Sequence, residues 1–157
     1  MIFQADLARS IIRGDKRATR RRKVPGKPRS PWYSHRCSYS VGQVFTVNPG
    51  RGIARVAEAK ITAVYSQQLG QMTEKDAKLE GCKNLKHFRE TWKAINKVWN
   101  PAEEVWVIEF ELDGSTCMGC DGCGWCEGSP AFLCDDCYST GIEVTAAGRA
   151  LMEADES

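Results

Sequence analysis

Six of the eight cysteines in this 157-residue chain form three Cys-x-x-Cys pairs within residues 117–137, at Cys117/Cys120, Cys123/Cys126 and Cys134/Cys137. Two residues between thiols let both sulfurs turn toward one ion, and two such pairs complete a closed tetrahedral zinc site. Such a site keeps no position open for a substrate, so its metal is structural. Redox exchange is the weaker use of the same spacing. Cys37 and Cys82 stand apart from the rest and read as free thiols, Cys82 as a buried one.

A second chemistry gathers at the other end. Residues 1–36 carry eleven Lys and Arg against Asp6 and Asp15, a balance of +9, while residues 37–157 carry eleven against eighteen acids, −7, giving the formal +2 overall. A neutral average with one strongly basic end points to a local anionic partner. The plain alternative is a solvated basic arm. Lys16, Arg17, Arg20, Arg21 and Arg22 are dense enough to grip phosphates. Trp32, Tyr33, His35 and Tyr39 follow among positive charges, where aromatics either stack on bases or pin the loop.

These residues need elements to hold them. Residues 1–13 read as a short strand and then a helix, with Leu7, Ile11 and Ile12 on one face and Gly14 as its stop. Three prolines and a glycine within 25–31 make 22–40 a mobile loop. Val41–Val47 reads as a strand, closed by the turn Asn48-Pro49-Gly50. Ile53, Ala57, Ala59, Ile61, Ala63 and Tyr65 recur at even spacing and predict one long half-exposed strand or two in succession. Thr73-Glu74-Lys75-Asp76 resembles a capping box, opening a helix that runs to Gly81. Leu85, Phe88, Trp92, Ile95 and Trp99 form the apolar stripe of a second helix, a core face that Asn100-Pro101 ends. Val105–Leu112 is the cleanest strand, with Trp106, Ile108, Phe110 and Leu112 on one face. Val107, Glu109 and Glu111 take the other. After Asp113-Gly114 the composition shifts to Cys, Gly and Asp, which sets a domain boundary. The order describes an α+β barrel with helices at its mouth.

Gly14, Lys16, Thr19 and Arg21 stand in the order Gly-x-Lys-x-x-Thr-x-Arg. Thr73-Glu74-Lys75-Asp76-Ala77, Glu80-Gly81, Phe88, Trp92 and the strand Val107-Ile108-Glu109-Phe110-Glu111-Leu112 follow in sequence. Over residues 3–112 this series resembles the ASCH domain family of the PUA-like superfamily, small proteins linked to RNA. The resemblance implies a PUA-like (ASCH) β-barrel with flanking helices over 1–114. It also implies RNA or modified-nucleoside binding through a basic cleft. Lys16, Arg17, Arg20, Arg21 and Arg22 would line that cleft, and Glu80 would accept from a nucleobase amine.

Small bacterial members that resemble this domain are amidohydrolases acting on N4-acetylcytidine. Their Lys, Thr and Glu map onto Lys16, Thr19 and Glu80. On that alternative Thr19 is a nucleophile that needs a base, and Lys16 is that base once burial or a nearby cation lowers its pKa. Glu80 would hold the Lys or protonate the leaving amine. A third activity, RNA cleavage, would want a His base; His35 is the candidate, yet His35 and His87 both read as loop or surface imidazoles. Fold does not transmit catalysis, and the long loop and added tail depart from the minimal enzymes, so binding is the leading reading.

Cys117-x-x-Cys120-x-Gly122-x-Gly124 and Cys134-x-x-Cys137-x-Ser139-x-Gly141 resemble one zinc centre of the DnaJ cysteine-rich domain. The resemblance selects Cys117, Cys120, Cys134 and Cys137 as zinc ligands, with Gly122 and Gly124 at the turn and Ser139 in a glycine place. Pairing 123/126 with 134/137 is the tighter alternative. A knuckle over 115–145 has too little apolar area to fold without its metal. Residues 146–157 would close the chain as a short helix and tail carrying Leu151 and Met152. The knuckle would dock on the barrel or offer a surface to nucleic acid or to a protein partner, the latter through Trp125, Phe132 and Leu133. Neither an 18-residue apolar run nor a basic-then-apolar start is present. No membrane span and a cytoplasmic protein are therefore expected.

Overall fold

Four strands form one sheet in the order β1-β4-β3-β2, with β1 at Ala18–Arg22, β2 at Val44–Val47, β3 at Ala57–Gln68 and β4 at Glu104–Asp113. Four helices accompany it: α1 Ala5–Ile12, α2 Glu74–Leu79, α3 Leu85–Asn96 and α4 Ala146–Glu153. The structure, a computed structural model, describes residues 1–23, 37–125 and 134–154. Most of the 22–40 loop, with Trp32, Tyr33 and His35, lies outside the described residues, as do Cys126, Phe132 and Leu133. This is the expected α+β class. Among the described residues no helix is long and apolar enough to cross a membrane.

The chain divides into two compact units, the first made of Met1–Lys16, Val44–Lys60 and Glu111–Ser157. Here α1 buries Ala8, Ile11 and Ile12, and Gly14 ends it with φ +76°. The predicted entry strand is brief, an Ile2–Asn48 parallel bridge. β2 runs antiparallel to the start of β3 from Val44↔Lys60 to Val47↔Ala57. The long strand begins later than its pattern suggests. Ile53 is 55% exposed, because the Asn48 side-chain amide donates to its carbonyl and holds it in the turn. α4 packs against α1, and Arg9 Nε donates to the Leu151 carbonyl at 3.0 Å. Thr145 caps α4: its hydroxyl accepts from Gly148 N and donates to the Val56 carbonyl at 2.7 Å.

The second unit is Arg17–Gln43 with Ile61–Phe110. β1 pairs antiparallel with β4 from Ala18↔Glu109 to Arg22↔Val105. α2 opens on the predicted capping box: Thr73 Oγ1 accepts from Asp76 N, and the Asp76 carboxylate accepts from Thr73 N at 2.8 Å. The core joins Leu69, Met72, Ala77, Cys82, Phe88, Trp92 and Val105, with Leu85 and Trp99 packed against it. α3 stops before Asn100-Pro101 because Lys97 turns left-handed at φ +68°. Ile95, expected on the apolar stripe, is 51% exposed inside the last turn of α3, whereas Trp99 meets Phe88 edge-on at 6.3 Å. Val105 and Val107 are buried alongside Ile108 and Phe110, so β4 is covered on both faces.

Candidate functional site

Among the described residues, the buried polar or charged side chains are Lys16, Thr19, Arg20 and Glu80, each 2–5% exposed. All four lie in the segments that carried the family resemblance. Burying a charge is costly unless it is paired or used. Arg20 is paired. From β1 its Nη1 donates to Glu80 Oε1 at 3.2 Å, and Nη2 lies 3.2 Å from Asp76 Oδ1. Nε and Nη2 both donate to Gln67 Oε1, at 3.2 and 2.7 Å, and the guanidinium sits 6.0 Å from the Phe88 ring centre.

Local structure explains the convergence. Arg17 N bonds the Leu79 carbonyl at 2.8 Å, which ties the entry of β1 to the end of α2. Glu80 is the C-cap of α2, and Gly81 turns the chain away at φ +78°. Asp76 serves both as the helix cap and as a partner of Arg20. Partial burial works to raise its pKa, but the Thr73 amide and hydroxyl and the Arg20 charge outweigh this and hold it below the usual carboxylate range. Tyr65 donates to Glu109 Oε1 at 2.8 Å; desolvation, then this acceptor and its charge, push the phenol up to about 12.

The predicted basic residues therefore differ in environment. Lys16 is buried in the link after α1, its N–H bonded to the Ser10 carbonyl. Thr19 is buried in β1, opposite Ile108. Arg17 is exposed, Arg21 half-buried, and Arg22 exposed and ion-paired with Glu103. Lys23 pairs with Glu104 at 2.7 Å and lies over the Trp106 ring. Gln67 and Asp76 escaped the sequence reading. The capping box gave Asp76 its local role, but no spacing signals an arginine 56 residues away, and nothing marked Gln67.

In the first unit, the sulfurs of Cys117, Cys120, Cys134 and Cys137 lie within 4.8 Å of one another, all buried. Cys117 Sγ is 4.0 Å from Cys134 Sγ, and Cys120 Sγ is 3.7 Å from Cys137 Sγ. Tetrahedral zinc with sulfur at about 2.3 Å sets sulfurs about 3.8 Å apart, so the quartet fits that ion. Cys123 is exposed and its partner Cys126 lies outside the described residues.

The two halves of the quartet repeat each other bond for bond. Gly124 N reaches Cys120 Sγ at 3.3 Å, and Gly141 N reaches Cys137 Sγ at 3.3 Å. Gly122 N bonds the Cys117 carbonyl as Ser139 N bonds that of Cys134. Cys134 N takes the Gly124 carbonyl, and Cys117 N takes that of Gly141. Amide-to-sulfur bonds of this kind stabilise thiolates. Burial raises the Cys137 thiol to about 12. At Cys120 it is outweighed by the Gly124 amide and the neighbouring thiols, which leave that thiol at about 7.

An α+β sheet with a buried Arg–Glu centre, joined to a four-thiol cluster, is the class of protein defined so far. The ASCH domain family model matches residues 1–112, and the chain belongs to that family. Among solved structures, the chain is similar to an ASCH domain from Lactobacillus crispatus. Identity is 22%, coverage is 68% of this chain and 69% of that one, and the TM-score is 0.55. It also aligns with a protein from Enterococcus faecalis at 18% identity, 68% and 66% coverage and TM-score 0.47. An ASCH protein from Zymomonas mobilis aligns at 9% identity, 71% and 67% coverage and TM-score 0.49. No curated protein matches the chain.

Proposed function

We propose that this ASCH-domain protein binds RNA or a modified nucleoside through the basic cleft of its family, to which Thr19, Arg20 and Glu80 contribute from one compact unit. The observation that carries the reading is the burial of Lys16, Thr19, Arg20 and Glu80, since hydrophobic residues there would fold more cheaply. Glu80 accepts from a nucleobase amine. Arg20, held by Glu80, Asp76 and Gln67, is a positioning residue that fixes the Glu80 carboxylate. Exposed Arg17 meets phosphate first, and Arg22 joins by exchanging Glu103 for it. The knuckle over 115–145 holds one zinc ion through Cys117, Cys120, Cys134 and Cys137. That ion supplies folding energy to the tail and no chemistry to the cleft.

That Lys16, Thr19 and Glu80 are each buried also favours the amidohydrolase reading, because acyl transfer wants groups shielded from water. Thr19 Oγ would attack the acetyl carbonyl of N4-acetylcytidine while Lys16 takes its proton. The C–N bond would then break with a proton returned to the leaving amine, and water would release acetate from Thr19.

One pair of assays separates these. Binding of a 20-nucleotide RNA that weakens steeply with salt and weakens further in Arg17→Ala, without N4-acetylcytidine turnover, supports binding. Turnover abolished in Lys16→Ala makes the chain an enzyme. RNA affinity indifferent to both salt and Arg17→Ala would sink the binding reading.

A further inference from the structure

The knuckle surface carries a property that a structural metal does not require. Residues 115–145 contain five acids, Asp121, Glu127, Asp135, Asp136 and Glu143, and no Lys or Arg. Four thiolates around a divalent ion would add a net charge of about −2. Such a surface repels a phosphate backbone and has no cations with which to release its counterions. A nucleic acid is therefore the wrong partner for it.

Two apolar side chains of the same stretch stand exposed. Met118 is 85% exposed and Trp125 39%. Both are carried by backbone that the cysteines fix. Met118 lies between Cys117 and Cys120. Trp125 follows Gly124, whose N–H meets Cys120 Sγ and whose carbonyl accepts from Cys134 N. A Cβ added at Gly119 would come within 2.5 Å of Asp136 Oδ2, so the Met118–Gly119 turn and the Asp135–Asp136 turn share one face. Asp121 and Asp135 are exposed, and Arg149 only reaches Asp136 at 3.5 Å.

We propose that the surface of this stretch binds a short Lys/Arg-rich segment of a partner protein, with Trp125 and Met118 as its apolar anchors. Charge complementarity selects the basic segment. An exposed Trp accepts guanidinium and ammonium groups over its face, a flexible Met adapts to their aliphatic stems, and Trp is enriched among residues that dominate binding energy. The inference is independent of the nucleic-acid reading of the ASCH domain, because it uses none of its residues.

The test takes full-length, zinc-loaded protein and a fluorescein-labelled peptide, Arg-Leu-Arg-Arg-Leu-Arg. Affinity should fall about tenfold in Trp125→Ala and about threefold in Met118→Ala, changes that alter no charge, with metal content unchanged. Asp135→Asn should weaken binding and flatten its salt dependence. An acidic peptide of the same length should not bind. Peptide affinity indifferent to Trp125→Ala and Met118→Ala would reduce the interaction to plain charge attraction and overturn the proposal. So would RNA binding that falls in Trp125→Ala.

Discussion

Two clusters of ionisable groups lie below the surface of this protein, and they balance charge in opposite ways. Around Arg20 the charges are of both signs: one guanidinium faces the carboxylates of Glu80 and Asp76, and Gln67 accepts from its Nε and Nη2. Around Cys117, Cys120, Cys134 and Cys137 the four groups are alike, and no polypeptide cation accompanies them in residues 115–145. The first centre can form when the chain folds. The second calls for a cation from outside, and its amide-to-sulfur bonds prepare the thiolates for one. Charge of mixed sign makes a self-sufficient centre, and charge of one sign makes a receptor.

Removing the metal should produce the largest effect. Structural zinc in small domains is worth on the order of 10 kcal/mol, so chelation or Cys134→Ser should unfold the tail. The check is metal content falling from one zinc per chain to none, together with new protease cleavage within 115–145. A tail that resists protease after chelation would break the contrast between the two centres.

The mixed-sign centre should behave as a pair. Glu80→Leu or Arg20→Met alone removes one half of a buried ion pair and should cost about 3 kcal/mol in urea unfolding. The double variant should cost clearly less than the sum. Additive losses would mean that the two side chains do not act on each other.

Acid should probe the same centre more gently. Asp76 has a folded pKa held below its unfolded value, so its contribution is present above about pH 4. It is lost as pH falls through the depressed folded pKa. Asp76→Asn should lower stability at pH 7 by about 1 kcal/mol and shrink the loss on acidification. An acid limb unchanged in that variant would remove Asp76 from the balance.

The smallest effect tests the symmetry of the four-thiol cluster. Ser139 holds φ +64° where the first half has Gly122 at +79°. Ser139→Gly should therefore raise the stability of the zinc-loaded form by about 1 kcal/mol. Gly141→Ala should do the reverse, since its Cβ would meet the Gly122 carbonyl oxygen at 2.2 Å.

Local patterns of a few residues carried most of what could be read in advance. The Thr73–Asp76 capping box, the Phe88/Trp92 stripe and the Val105–Leu112 strand are encoded within short stretches, where spacing and turn chemistry act alone. The early end of α3 and the exposure of Ile53 were not legible, because a left-handed Lys97 and a side-chain bond from Asn48 override periodicity. Residue types and spacing by themselves determined the charge asymmetry and the three cysteine pairs, and resemblance of motifs pointed to the family and to one choice of four thiols. Only the tertiary structure decided that Arg20 faces inward while Arg17 faces water. Five cations look alike in a row of letters. Their roles separate when β1 pairs with β4 and α2 brings Asp76 and Glu80 up to one of them, because a charge is buried only where long-range folding delivers its partner.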